Sequence, residues 1–187
     1  PAYMLEERIN AGAIPYSIFG DSVKQYMAKA YGPGNWLLKS TNQQLYLNRK
    51  LIAEKKMDLA KVQQQVAEYA LTLDGVSRTI TATDLQRTSW NHGVMQLVEN
   101  GYNAKRSGDV ILQLETNWQV HPAKGTTHGS YSTYDIHVPL VWYGWQVKPG
   151  KSSTKVSITD IAPTLATWLN IQEPSGSTGK ALQEYMK

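Results

Sequence analysis

The chain has no cysteine. That excludes a disulfide framework, a thiolate metal cluster and a cysteine nucleophile, and it leaves the redox compartment open. No apolar run approaches the roughly 20 residues that a membrane helix needs, so no span is expected in this chain. Blocks of like charge are missing as well. The 19 Lys and Arg against 15 Asp and Glu leave a net charge of +4, but the basic residues are dispersed, whereas nucleic-acid binding requires a clustered basic face. A mildly basic, solvated surface with no nucleic-acid partner is the reading. No glycine-rich phosphate loop, nucleophile elbow or paired metal-ligand motif occurs, so these residues alone do not make a complete active site.

What is present has a globular balance. Of 187 residues, 41% are apolar and 18% charged, which suits one sizeable core or two small ones and argues against disorder. No internal repeat or low-complexity tract appears. The start at Pro1, without a methionine or an apolar leader, reads as a cut inside a longer protein.

Periodicity then orders the elements. "GDSVKQYMAKAYGPG" predicts a short helix capped by Asp21 or Ser22, with Val23, Tyr26, Met27 and Ala30 on one face and Gly32-Pro33-Gly34 as its stop. Trp36–Lys39 and Gln44–Leu47 read as a hairpin around Ser40-Thr41-Asn42. Behind an Asp58 cap, Leu59, Val62, Val66 and Ala70 recur at helical spacing, closed by Asp74-Gly75. "VSRTITAT" alternates as a half-wet strand, and "DLQRTSWNHGVMQLVENGYN" returns to helix, with Gly93 an interruption and Gly101 a stop. The continuous apolar run Val110-Ile111-Leu112 suits a strand covered on both faces, and "HVPLVWYG" reads as a second. "SITDIAPTLATWLNI" is a closing helix with Ile161, Leu165, Trp168 and Leu169 inward and Pro163 in its first turn. These elements make an α/β chain, with a small α+β unit over residues 1–104 and a piece of a larger sheet over 105–187.

Four histidines are the candidate ligands. His92 sits at a helix interruption and suits a surface or capping role. His121 precedes Pro122 at a strand end, where a bond to backbone is the default. His137 leads into the expected strand as a half-buried, satisfied imidazole. His128 differs: in "GTTHGSYSTYDIHVPLVWYG" it stands among small residues in a loop between two strands, where glycine permits tight turning and a presented side chain, and where α/β sheets collect binding groups. No two histidines have the i, i+4 spacing that pre-aligns a zinc pair. Dividing roughly 10–16 kcal/mol for a four-ligand zinc site equally gives one imidazole about 3 kcal/mol, hence only millimolar binding. His128 therefore needs partners from elsewhere. Thr126 and Thr127 read equally as turn formers, and Asp160 as a cap or first-turn residue rather than a metal carboxylate.

Three segments carry a resemblance. "KRSGDVILQLETNW", "GTTHGSYSTYDIHVPLVWYG" and "SITDIAPTLATWLNIQEPSGSTGKAL" together resemble the C-terminal third of alkaline phosphatase superfamily enzymes, especially the threonine-nucleophile bacterial phosphatases grouped with type I phosphodiesterases. "NQQLYLNRKLI" and "LDGVSRTITATDLQ" resemble the segment such enzymes insert before it. The resemblance implies the C-terminal part of an alkaline-phosphatase-like central sheet with a small inserted α+β subdomain. It also implies that His128, in the Thr-His-Gly motif, ligates the zinc facing the leaving-group oxygen, while a second zinc holds the nucleophile. The nucleophile and the other ligands, the Asp-His-Gly motif included, are expected upstream of Pro1, in the remaining N-terminal part of the same protein, which is the partner implied. The implied substrate is a small-molecule phosphate monoester; the sister readings are phosphodiester or sulfate-ester hydrolysis, or a non-catalytic module whose histidine loop is only a turn. A periplasmic or otherwise extracytoplasmic location is implied by the resemblance alone.

Overall fold

The computed structural model describes residues 4, 6, 7, 9–15, 17–120, 127–145 and 147–185. His121 and Thr126 lie outside them. The chain divides into two compact units, Pro1–Val138 and Pro139–Lys187.

The first unit is built on a four-stranded antiparallel sheet. Its elements in chain order are β1 (Gly12–Ile14), α1 (Ile18–Tyr31), β2 (Leu37–Thr41), β3 (Gln44–Leu47), α2 (Arg49–Glu54), α3 (Leu59–Ala70), β4 (Val76–Thr81), α4 (Ala82–Arg87), α5 (Gly93–Gly101), β5 (Val110–Leu114), β6 (Trp118–Val120) and α6 (Thr133–Ile136). The sheet order is β2-β3-β5-β4. The hairpin forms as its pattern predicts, though β2 runs on through Thr41 and the turn falls at Asn42-Gln43. Both turn residues are left-handed, at φ 49° and 53°, as a two-residue hairpin requires if its twist is to match that of the strands.

β5 supplies the centre of the core because its residues alternate between two covered faces. Val110 and Leu112 join the main cluster with Val23 and Met27 of α1 and Val62, Val66 and Ala70 of α3. Ile111 points to the other face, with Ile80, Leu85 and Val98. Each such fully buried side chain contributes roughly 1.5–3 kcal/mol over its exposed state. The strand read from sequence as part of the C-terminal segment's sheet thus pairs with β3 and β4, and the first unit continues past residue 104.

Caps and corners follow the sequence with two exceptions. Asp58 accepts the Lys61 N–H at 3.1 Å and opens α3 as expected. In contrast, α1 begins a turn before Asp21 and Ser22: Ser17 is its N-cap, and the Asp21 N–H already donates to the Ser17 carbonyl. Burial of Phe19 in the main cluster accompanies this upstream start, at a serine that makes no side-chain cap. The interruption read at Gly93 is present but falls just before it, between α4 and α5, where Glu99 bridges the break by accepting from the Trp90 N–H at 2.8 Å and the Ser89 hydroxyl at 2.7 Å. β1 and β6 form a separate parallel pair. There the Trp118 ring lies where a Cβ on either Gly12 or Gly75 would stand, so both close approaches require glycine.

One buried carboxylate connects three of these elements. Asp109, 2% exposed, accepts from the Leu47 N–H at 2.9 Å, from Arg49 Nε at 2.7 Å and from Gln63 Nε2 at 2.8 Å. Gln63 in turn accepts from the Thr83 hydroxyl at 2.6 Å. The residue before β5 is thereby tied to β3, α2 and α3, and through Gln63 to α4.

The second unit contains α7 (Ile161–Leu169) after a 3-10 turn at Ile158–Asp160. Trp142 and Trp168 meet edge to face, with ring centroids 4.6 Å apart. The helix is where the pattern puts it, but the inward set is different: Pro163, Thr164 and Ala166 are buried, whereas Leu165 and Leu169 are exposed. The expected strand over 137–144 does not form, and Val141 and Tyr143 are 80% and 100% exposed. A strand exists only by hydrogen-bonding to a neighbour, and among the described residues none pairs with this segment.

Candidate functional site

The loop after β6 presents His128 at the surface of the first unit. Gly129, at φ 108°, takes a conformation closed to residues with a Cβ, and this turns the chain back immediately after the histidine. Asp135 then fastens the turn: one carboxylate oxygen accepts from the Gly129 N–H at 2.9 Å and from the Ser130 N–H at 2.5 Å. The Asp135 carboxyl is held below its ordinary range, first by the Ser130 N–H and hydroxyl and also by the Gly129 N–H and the nearby His128 ring. Tyr131 packs against the cluster around Ile111, and burial pushes its phenol up. Two side chains thus fix the segment that follows His128 without a hydrogen bond to its ring.

The imidazole itself is exposed, and its ring has no hydrogen-bond partner among the described residues. It borders a cleft of about 350 Å³. Among the described residues it is lined by Phe19, residues 40–43 at the end of the β2–β3 hairpin, Val120 and residues 127–129.

A metal ion fits these residues only in part. An exposed neutral imidazole with a free lone pair is a suitable zinc donor. Among the described residues no group of three or more His, Asp or Glu comes together to hold an ion, and the Asp135 carboxylate is already engaged by backbone N–H groups. His128 is one donor, not a site.

The other candidates separate from it. His92 is exposed at the start of α5 and makes no side-chain cap. His137 is exposed rather than half-buried, because the strand expected to cover it does not form. Thr127 is exposed and donates its hydroxyl to the His128 carbonyl at 3.4 Å, a turn contact. Asp160, in the second unit, accepts from the Ser157 N–H at 2.8 Å in a capping box and from the Lys180 N–H at 2.9 Å.

The Asp160 geometry has a pH consequence. The Lys180 N–H first, and the Ser157 N–H next, hold its carboxyl below the ordinary range. A depressed folded-state value means that these bonds add stability above the unfolded pKa, about 3.9, and that the contribution is lost as pH falls through the lower folded value. Amide exchange at Lys180, corrected for its intrinsic pH dependence, is expected to be slowed at pH 5 and to lose that protection in acid. Protection at Lys180 that does not fall at any pH down to acid unfolding would contradict the assignment.

Sequence reasoning did not find Asp135 or the hairpin residues that line the cleft. An Asp a few residues after a Gly-Ser turn is a recognisable acceptor for backbone N–H groups. Nothing local signals that residues 42 and 128 share a cleft, since topology alone brings them together.

No family model matches the chain. It is 37% identical over 146 residues to alkaline phosphatase PhoV of Synechococcus elongatus, covering 78% of this chain and 26% of that protein. It is 33% identical over 181 residues to alkaline phosphatase PafA of Elizabethkingia meningoseptica, covering 94% and 33%, and 32% identical over 186 residues to a protein of Myroides odoratus named calcium-transporting ATPase, covering 98% and 34%. The crystal structure of wild-type alkaline phosphatase PafA superposes with a TM-score of 0.88 at 30% identity, over 99% of this chain and 35% of that one. A variant of that enzyme gives 0.86. The chain spans about a quarter to a third of the length of these relatives.

Proposed function

From a chain that matches the alkaline phosphatase superfamily in both sequence and fold, we propose the C-terminal part of a zinc-dependent hydrolase that cleaves phosphate monoesters. The observation that carries the reading is the exposed His128 ring, which makes no hydrogen bond among the described residues, on a fastened loop beside a cleft. His128 would hold one zinc ion through a neutral ring nitrogen. Zinc bound there supplies Lewis-acid stabilisation of the negative charge that develops during in-line phosphoryl displacement. This chain's contribution is then positional: Gly129 and Asp135 set the direction of the loop, and Tyr131 anchors it to the sheet.

The nucleophile and the remaining metal ligands are assigned to the rest of the same polypeptide, so the isolated chain is expected to be inactive. No helix among the described residues is long and apolar enough to cross a membrane, and an extracytoplasmic location follows from the family resemblance.

The test is hydrolysis by the full-length protein of matched phosphate monoesters, phosphodiesters and sulfate esters, before and after chelation. Monoester turnover that exceeds the other two, disappears with the metal and returns with zinc is the expected result. Preference for a diester or a sulfate ester would move the reading to a sister activity. Turnover indifferent to chelation would remove the metal from it.

A further inference from the structure

We infer that Asp135 is a positioning residue for the metal: by holding the turn at Gly129 and Ser130 it orders the backbone that carries the His128 ring before any metal arrives, so that zinc meets a preformed donor. The inference rests on the reading of His128 as a zinc ligand. It concerns how tightly the ion is held, not the chemistry at phosphorus.

The carboxylate comes from a one-turn helix with its own supports. In α6 the Asp135 and Ile136 N–H groups donate to the Ser132 carbonyl at 2.8 and 3.1 Å, and the His137 N–H donates to the Thr133 carbonyl at 3.1 Å. Tyr131, just before it, packs against the cluster of Ile80, Leu85, Val98 and Ile111, which joins the segment to the sheet. From this base the Asp135 side chain reaches back along the sequence, and one of its oxygens accepts both the Gly129 and the Ser130 N–H. The residues that follow His128 are therefore ordered by bonds that a bound ion does not supply.

The cost of ordering shows why this matters for affinity. Fixing the backbone of one residue disfavours the ordered state by about a factor of five to thirty, and glycine loses more freedom than any other residue. Gly129 stands at φ 108° directly after the ligand. If zinc alone had to order His128, Gly129 and Ser130, the combined factor would be about a hundred or more. That equals or exceeds the roughly hundredfold share of affinity that one imidazole supplies. With Asp135 in place the ordering is completed during folding and the share is kept. Both bonds to the carboxylate are charge-assisted, about twice as strong as those to a neutral acceptor.

Zinc affinity of the full-length protein, measured by competition with a chelator of known strength, tests this in Asp135→Ala and Asp135→Asn. The alanine variant is expected to bind zinc about tenfold to a hundredfold more weakly, the usual effect of removing an outer partner of a metal ligand. The asparagine variant keeps a neutral acceptor and is expected to lose about threefold; it also keeps the test decisive should the alanine variant fail to fold. Excess zinc is expected to restore turnover in both. In the metal-free unmodified protein, the Gly129 and Ser130 amides are expected to resist hydrogen exchange, and in metal-free Asp135→Ala to lose that resistance. Zinc affinity within about twofold of the unmodified protein in both variants, exchange at those amides that slows only when zinc is added, or lost turnover that excess zinc does not restore would each overturn the inference. His128→Ala separates it from the reading beneath it. Unchanged zinc affinity there would remove the ligand and the inference together, whereas a large loss there beside none at Asp135 would overturn the inference alone.

Discussion

Replacing His128 with alanine in the full-length protein is expected to lower zinc content and to slow monoester hydrolysis by about a hundredfold or more. One ligand's share of a four-ligand zinc site is about 3 kcal/mol, which corresponds to roughly two orders of magnitude in metal affinity. The side chain is exposed, and its ring makes no hydrogen bond among the described residues, so its removal takes nothing from either core cluster. Thermal stability of the metal-free protein should therefore be unchanged, which separates a lost ligand from a damaged fold. Metal analysis beside kcat/KM checks both parts. Full zinc occupancy with undiminished turnover would contradict the ligand role.

The largest expected effect on stability is at Asp109. Asp109→Ala would strand the Leu47 N–H and Gln63 Nε2 without their acceptor and leave the Arg49 guanidinium without its counter-charge. Removing one member of a buried charged network costs about 3–5 kcal/mol, because the groups left behind stay desolvated. Arg49 is partly exposed and water recovers some of its loss, so a value nearer about 3 kcal/mol is expected. Denaturant unfolding of the full-length protein measures it. Asp109→Asn retains an acceptor and is expected to lose less. A loss below about 1 kcal/mol for the alanine variant would mean that the network is not a structural tie.

These two residues differ in how far the sequence discloses them. His128 is visible because an imidazole between small residues in an inter-strand loop is unusual locally, and the Thr-His-Gly motif belongs to a family pattern. Asp109 is invisible: its partners are 46 to 62 residues away in sequence, and no local pattern distinguishes it from a surface aspartate before a strand. The same distinction runs through the fold. α3, the hairpin and β5 were legible because their periodicity and caps are local. The start of α1 was not, since it falls at Ser17, which makes no side-chain cap. The 137–144 segment reads as a strand in composition, yet composition cannot provide the neighbour with which a strand must bond. The cleft is the extreme case, since it exists only once two loops about 85 positions apart in number have been brought together by the sheet order.

Because the sheet order is β2-β3-β5-β4, the strand synthesised last stands between strands made earlier. A nascent chain that has emerged only to residue 104 carries the hairpin and β4 with an empty place between them. The two halves of the sheet stay unpaired until residues 110–114 arrive and zip them together. During that interval their apolar edges are open to chaperones or to other chains.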